Sequence, residues 1–449
     1  MRTRGSKLLV FFVVLAAAAV GLSVLVAKRS RSRGVPAALA AADAPPPARR
    51  TLPPLPRRPL SPRLRALRER AADAASRVRG LGWAGEVGMT ELSGWEYGTR
   101  TKEIADVLGT DDLKGLSRLA VAGGMLPEGT DLPALAVSFT AATAGATYSP
   151  LDKQVLLVPE RGGQANTGLL THEFVHALQD QHFDLLRMML ARPFSFDREE
   201  AAFALVEGDA VSVERRVVQG DAWARKSLED VAREEDARYA PYRKGIGAFF
   251  PPLLTETFVF RYRDGLRFVE TLRRARPAVS IDEVFRHPPQ SSEQVLHPEK
   301  YLAGETPREV ELGVEDFASG GWRLTATTPL GEVGVRGLLM AGVAPEEARR
   351  AAAGWGGDRS FVFEREGHAP LFVWKTVWDS PRDAQEVFRA YNEMLAGRAA
   401  PAAAGADSPE REWREGGALT RLRLEGDSVT VVRGAEADAP EALRLARGQ

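Results

Sequence analysis

His172-Glu173-Phe174-Val175-His176 is where this sequence concentrates groups able to do chemistry. Residues four apart on a helix share a face, so the two imidazoles can hold one divalent metal between them. Glu173 projects close to that face, where a carboxylate can take a proton from metal-bound water. A pattern this specific arises by chance in fewer than about one chain in a hundred. Asp180 lies four residues beyond His176 on the same face, placed to orient a ligand imidazole from behind. His182, six beyond His176, points elsewhere and reads as structural. A catalytic zinc takes three protein ligands and a water, and no third histidine follows at close spacing. The next helix supplies the carboxylates Glu199, Glu200, Glu207, Asp209 and Glu214. Glu207 is the first candidate, because it sits in the apolar Leu205-Val206-Glu207-Gly208-Asp209-Ala210, where an unpartnered carboxylate is costly. Gly208 and Ala210 are small enough to let that helix approach a neighbour closely. Glu200, two turns earlier, is the alternative.

The elements that must position these residues follow from periodicity and caps. A helix begins at Asn166 or Thr167 and runs to about His182; another covers Arg198–Gln219. Helices are also expected at Leu64–Arg79, Thr101–Leu108, Asp111–Leu119, Ala222–Tyr239 and Phe249–Arg276. Leu135–Phe139 and Val155–Val158 read as strands of a small sheet, one of them an edge to which an extended peptide could add. After Gly304 the pattern changes. Strands are expected at Arg323–Thr327, Val333–Leu339, Phe361–Phe363, Leu371–Val377, Leu419–Leu424 and Ser428–Val432. Helices at Pro345–Ala353 and Pro381–Ala396 interleave with them. Trp355-Gly356-Gly357-Asp358 reads as a turn, Trp374 and Trp378 as core, His368 as a loop residue and Ala399–Asp407 as a low-complexity loop. The fold class is therefore α+β: a mainly helical domain with a small sheet (63–304), then a C-terminal α+β domain (305–449) of no assigned role.

The chain has 449 residues, with 60 Lys+Arg balancing 60 Asp+Glu, and no cysteine. Disulfides, thiolate metal sites and a thiol nucleophile are excluded. A net charge of zero argues against a generally basic nucleic-acid binder. The charge is unevenly spread, for residues 1–70 hold fifteen Lys+Arg against Asp43 and Glu69. Leu8–Ala27 is uncharged and long enough to cross the roughly 30 Å hydrocarbon core as a helix. The basic residues from Lys28 to Arg33 stand where a signal-peptide cleavage site would be, which favours a retained transmembrane anchor (1–33) over a cleaved signal. The Pro/Ala/Arg-rich 34–62 reads as a stiff tether unable to order itself, with arginines available to anionic headgroups. The expected location is the cell membrane, with the bulk outside the cytoplasm, or secretion if the segment is cleaved.

The His172-Glu-x-x-His176 motif with a later helical glutamate resembles the Glu-zincin metallopeptidases. His172–Leu186 (HEFVHALQDQHFDLL), Leu205–Ala210 (LVEGDA) and Ser292–Tyr301 (SEQVLHPEKY) resemble a bacterial group of zinc metallopeptidases, over about Leu116–Leu302. That group often has Ala-Gly-Phe-Tyr-Asp ahead of the metal helix, where this chain has Ala144-Gly145-Ala146-Thr147-Tyr148. The resemblance implies a zincin-like fold, one Zn²⁺ per chain and hydrolysis of a protein or peptide substrate with Glu173 as general base. The oxyanion also needs a donor besides the metal. His297 in Gln294-Val295-Leu296-His297-Pro298 is the first candidate, then Tyr262, then Tyr148. Two other functions remain open: a tethered binding or assembly protein with a structural metal, working through its C-terminal domain, and a hydrolase of non-peptide bonds. Oligomeric state is not legible.

Overall fold

The computed structural model describes residues 52–143, 145–162, 165–246, 250–275, 280–403 and 408–446. The expected anchor and the tether as far as residue 51 lie outside them. No helix among the described residues is long and apolar enough to cross a membrane.

Two helices form the centre of the N-terminal half. Thr167–Phe183 starts where the Asn166 side chain accepts from the Leu169 amide at 3.0 Å, as an N-cap should. Its residues from Leu170 to Asp180 are all buried, so the helix runs through the core rather than along its surface. Phe196–Gln219, capped by Ser195, is buried almost continuously from Phe196 to Val213. The histidine helix is wedged between this long helix and Pro62–Arg79. A three-stranded sheet lies against it, in the order β1 (Gly88–Glu91), β3 (Gln154–Leu157), β2 (Ala146–Ser149), with β1 parallel and β2 antiparallel to β3.

The C-terminal half carries a seven-stranded antiparallel sheet in the order β4-β5-β6-β10-β9-β8-β7. The strands are β4 Arg323–Thr328, β5 Trp355–Glu364, β6 Leu371–Trp378, β7 Ala400–Ala403, β8 Glu410–Glu415, β9 Ala418–Glu425 and β10 Ser428–Ala435. Trp374 and Trp378 are core, as expected. One apolar cluster joins the halves: Leu116, Leu119, Phe196 and Leu253 pack with Val335, Trp374 and Tyr391.

Five expectations are corrected. Leu135–Phe139 is helical, within Leu132–Thr143. Its short apolar run has no decisive period, and the start signal is Asp131, whose carboxylate accepts from the Ala134 amide at 3.0 Å. Val333–Leu339 is also helical, within Gly331–Leu339. That helix begins where the distant Asp358 carboxylate accepts from the Leu330 and Gly331 amides, both at 2.9 Å. The Trp355–Asp358 turn is the start of β5, and Ala400–Ala403 pairs as edge strand β7. Finally, the stretch before Pro62 docks from Leu52 onward. Leu52 and Leu55 pack on the core, Arg100 Nη1 donates to the Pro53 carbonyl at 2.8 Å, and Arg58 grips Glu96 at 2.6 and 2.9 Å. Leucines inside the proline-rich stretch give it apolar surface to bury, and Arg58 finds a carboxylate of its own domain.

Candidate metal centre

The imidazoles of His172 and His176 converge with Glu207. His172 Nε2 is 3.2 Å and His176 Nε2 3.3 Å from Glu207 Oε2, and one ligand atom from each residue lies within 4.8 Å of the others. Bonds of 2.0–2.2 Å at tetrahedral angles put neighbouring ligand atoms about 3.4 Å apart, so the three groups stand at the separations of a shared ion.

What stands behind the ligands fits the same purpose. His176 Nδ1 is 2.9 Å from Gln179 Oε1. Gln179 Nε2 donates to the Val206 carbonyl and to Asp209 Oδ2, both at 3.0 Å, and the Val206 carbonyl fixes which way the amide points. Asp209 is held by Arg79 at 2.6 Å and Arg273 at 3.2 Å. His172 Nδ1 lies 3.3 Å from Glu214 Oε2. An acceptor behind each Nδ1 places a proton there, so each Nε2 is the nitrogen that would be left to bind an ion and, without one, can donate to Glu207. Burial would raise Glu207, but the two imidazoles outweigh it and hold its pKa at about 2. Burial likewise would lower His172, yet Glu207 and Glu214 raise it. The centre is thus an environment that stabilises positive charge.

Glu173 meets this centre from the sheet side. Its Oε2 accepts a short hydrogen bond from the Tyr148 amide of β2, while Oε1 has no hydrogen-bond partner among the described residues. Burial pushes its pKa to about 8, with His176 lowering it and Glu207 raising it. Tyr262 also borders the centre, beside His172 and Glu207. It sits on a π-helical turn, Phe260–Asp264, between the helices Pro252–Val259 and Gly265–Ala275. Such turns insert an extra residue and re-aim side chains, and they recur at functional sites. Its ring stacks on His172 at 6.4 Å with an 18° interplanar angle. Burial and the nearby Glu207 push its pKa well above the ordinary value, so the phenol stays neutral and able to donate. The approach depends on two glycines: a Cβ on Gly208 would come within 2.2 Å of the Gly265 backbone, and one on Gly265 within 2.1 Å of the Ala204 carbonyl oxygen. None of His172, Glu173, His176, Glu207 and Tyr262 is more than 4% exposed.

Other expected site residues fall elsewhere. Asp180 does not meet an imidazole; it accepts from the Tyr148 hydroxyl at 2.7 Å and Lys153 Nζ at 2.6 Å, and Gln179 takes the role assigned to it. Tyr148 therefore presents its amide, not its phenol, to the centre. His297 Nε2 lies 3.0 Å from Glu332 Oε2, at the seam with the C-terminal half, with Arg336 and Glu299 also near. Glu200 is bound bidentately by Arg261 at 2.5 and 2.7 Å. His182 bonds the Gly82 carbonyl, a structural role as expected. Glu214 and Gln179 were missed as supports. For Glu214 the signal was present: it lies seven residues from Glu207, two turns along one face.

A second acidic group, Glu293, Glu305 and Asp379, has ligand-like spacing but already surrounds a cation, with Lys300 Nζ at 2.6, 2.8 and 2.7 Å from the three.

A family model described as "Domain of unknown function (DUF8575)" matches residues 322–444, the β-rich C-terminal region. No curated protein and no solved structure matches the chain.

Proposed function

We propose that this chain is a zinc-dependent metallopeptidase, tethered to a membrane by its N-terminal helix, with the catalytic part outside the cytoplasm. His172, His176 and Glu207 hold the ion, which when bound supplies Lewis acidity and lowers the pKa of a water. Glu173 Oε1 accepts the proton of the attacking water and returns it to the leaving amine. Burial raises Glu173 above an ordinary carboxylate, which favours holding the proton between taking it from water and giving it to the amine. Tyr262 donates from its hydroxyl to the developing oxyanion. Gln179 and Glu214 keep the imidazoles in the ligating tautomer and move no proton themselves. The observation that carries the reading is Glu173: a buried carboxylate beside the triad with one oxygen unengaged, which a purely structural site has no use for.

The test is metal content and peptide hydrolysis of the full chain in detergent, wild type against Glu173→Gln. About one zinc per chain in both, with hydrolysis falling at least roughly 100-fold in the variant, is the expected result. A wild type purified without metal, or a variant as active as wild type, rules the reading out.

The burial of the whole triad favours a second reading, a tethered binding or assembly protein with a structural ion, because catalytic sites keep an open position. It expects cellular function to survive Glu173→Gln and to be lost on removal of residues 305–449.

A further inference from the structure

A second site lies beyond Phe258 and Tyr262 and shares no residue with the triad. It is a cavity of about 140 Å³, walled by Leu116, Leu132, Phe139, Phe196, Phe203 and Phe258 among others. Leu135, Phe139, Phe194 and Leu254 on its wall are only half-buried, so it reaches the surface. Phe258 separates it from the triad: its ring is 5.4 Å from that of Tyr262, which in turn covers His172.

Two polar groups make the cavity more than an apolar gap. Glu199 and Tyr242 both line it and are 94% and 94% buried. Among the described residues, neither Glu199 Oε1 nor the Tyr242 hydroxyl has a hydrogen-bond partner. Leaving such groups unsatisfied is costly, and native cores rarely do so without a reason. The neighbouring Glu200 shows the contrast, being fully engaged by Arg261 on the same wall.

We propose that this cavity binds a ring-sized apolar group carrying one hydroxyl, that is, a phenol. The volume fits, since cavities of about 150 Å³ lined by such side chains take up benzene. The chemistry fits as well. Burial and the nearby Asp112 push the Glu199 carboxyl up to about 9, against the pull of Arg192, so it is a neutral acid that can both donate and accept. A hydroxyl on the ligand offers a donor and an acceptor in return. The source is a free small phenol or the side chain of a tyrosine in a peptide.

The full chain in detergent is titrated with p-cresol and with p-xylene, which matches its ring and lacks the hydroxyl, and binding is read by calorimetry and ligand-observed NMR. The expected result is saturable binding of p-cresol, roughly three- to tenfold tighter than p-xylene. Glu199→Leu should bring the two affinities together, and Ala136→Trp, which fills the space, should abolish both while circular dichroism stays unchanged. N-acetyl-tyrosinamide separates the sources: competition with p-cresol identifies a peptide tyrosine, and p-cresol binding without competition identifies a free phenol. Equal binding of p-cresol and p-xylene to wild type, or binding of neither, overturns the proposal. The readout is independent of metal and of hydrolysis, so it stands or falls separately from the peptidase reading.

Discussion

Glu199 and Glu207 sit eight residues apart on one helix and are about equally buried, at 6% and 4% exposure, yet their environments drive them in opposite directions. Glu207 meets two imidazoles and is held as an anion at about 2; Glu199 Oε1 meets no partner among the described residues and the carboxyl is pushed to about 9. Burial is the leading cause at both positions. What differs is what the neighbouring elements bring: the histidine helix to Glu207, apolar side chains and the Asp112 carboxylate to Glu199. A buried carboxylate in a sequence therefore marks a place where something must happen, and the partner decides whether that is cation binding or neutral hydrogen bonding.

The largest test of the contrast is metal itself. Glu207→Ala should abolish stoichiometric zinc, lowering affinity well beyond roughly 100-fold, whereas Glu199→Ala should leave metal content as in wild type; mass-spectrometric metal analysis reads both. Next comes support from behind the ligands. Gln179→Leu should weaken zinc binding roughly 10- to 100-fold, while Asp180→Asn, on the adjacent helical position, should leave it within about twofold because Asp180 serves Tyr148 and Lys153 instead. Zinc competition with a chromophoric chelator measures the difference, and equal losses in the two variants would refute the assignment.

The protonation contrast has a sign that stability can report in chelator-treated protein. Glu207 has a folded pKa below its ordinary 4.5, so its contribution is present above about pH 4.5 and is lost as pH falls toward 2. Glu199 has a folded pKa above 4.5, so the folded state keeps a proton the unfolded state has released, and stability declines as pH rises from about 4.5 to 9. Glu207→Gln should flatten the acid limb of Tm against pH, and Glu199→Gln the alkaline one. The smallest expected effect is Glu199→Leu at pH 8, a gain of about 1 kcal/mol from removing an unsatisfied buried polar group, measured by denaturant unfolding.

Much of the site was legible because its rules are local. Spacing placed His172, Glu173 and His176 on a helix, and the cost of burying Glu207 singled it out. The choice between Gln179 and Asp180 was not legible. Positions three and four beyond His176 lie almost equally close to its face, and what decides is that β2 and Lys153 claim Asp180 from another part of the chain. The partner of His297 was not legible for the same reason, since Glu332 lies thirty-five residues on. The misread strands at Leu135–Phe139 and Val333–Leu339 were short apolar runs whose helical state depends on a cap, local at Asp131 and distant at Asp358. The resemblance pointed to the region that holds the triad; the family matched at residues 322–444 is one of unknown function.

The crossing at Gly208 and Gly265 has a consequence for how such a centre can change over time. The spacing between Tyr262 and the ligands is set by two backbones in contact, with no side chain between them to lengthen or shorten. A single methyl on either helix at that crossing would force the backbones apart. Change at the rim or in the cavity leaves the distance from the Tyr262 ring to the imidazoles as it is, whereas change at either glycine does not.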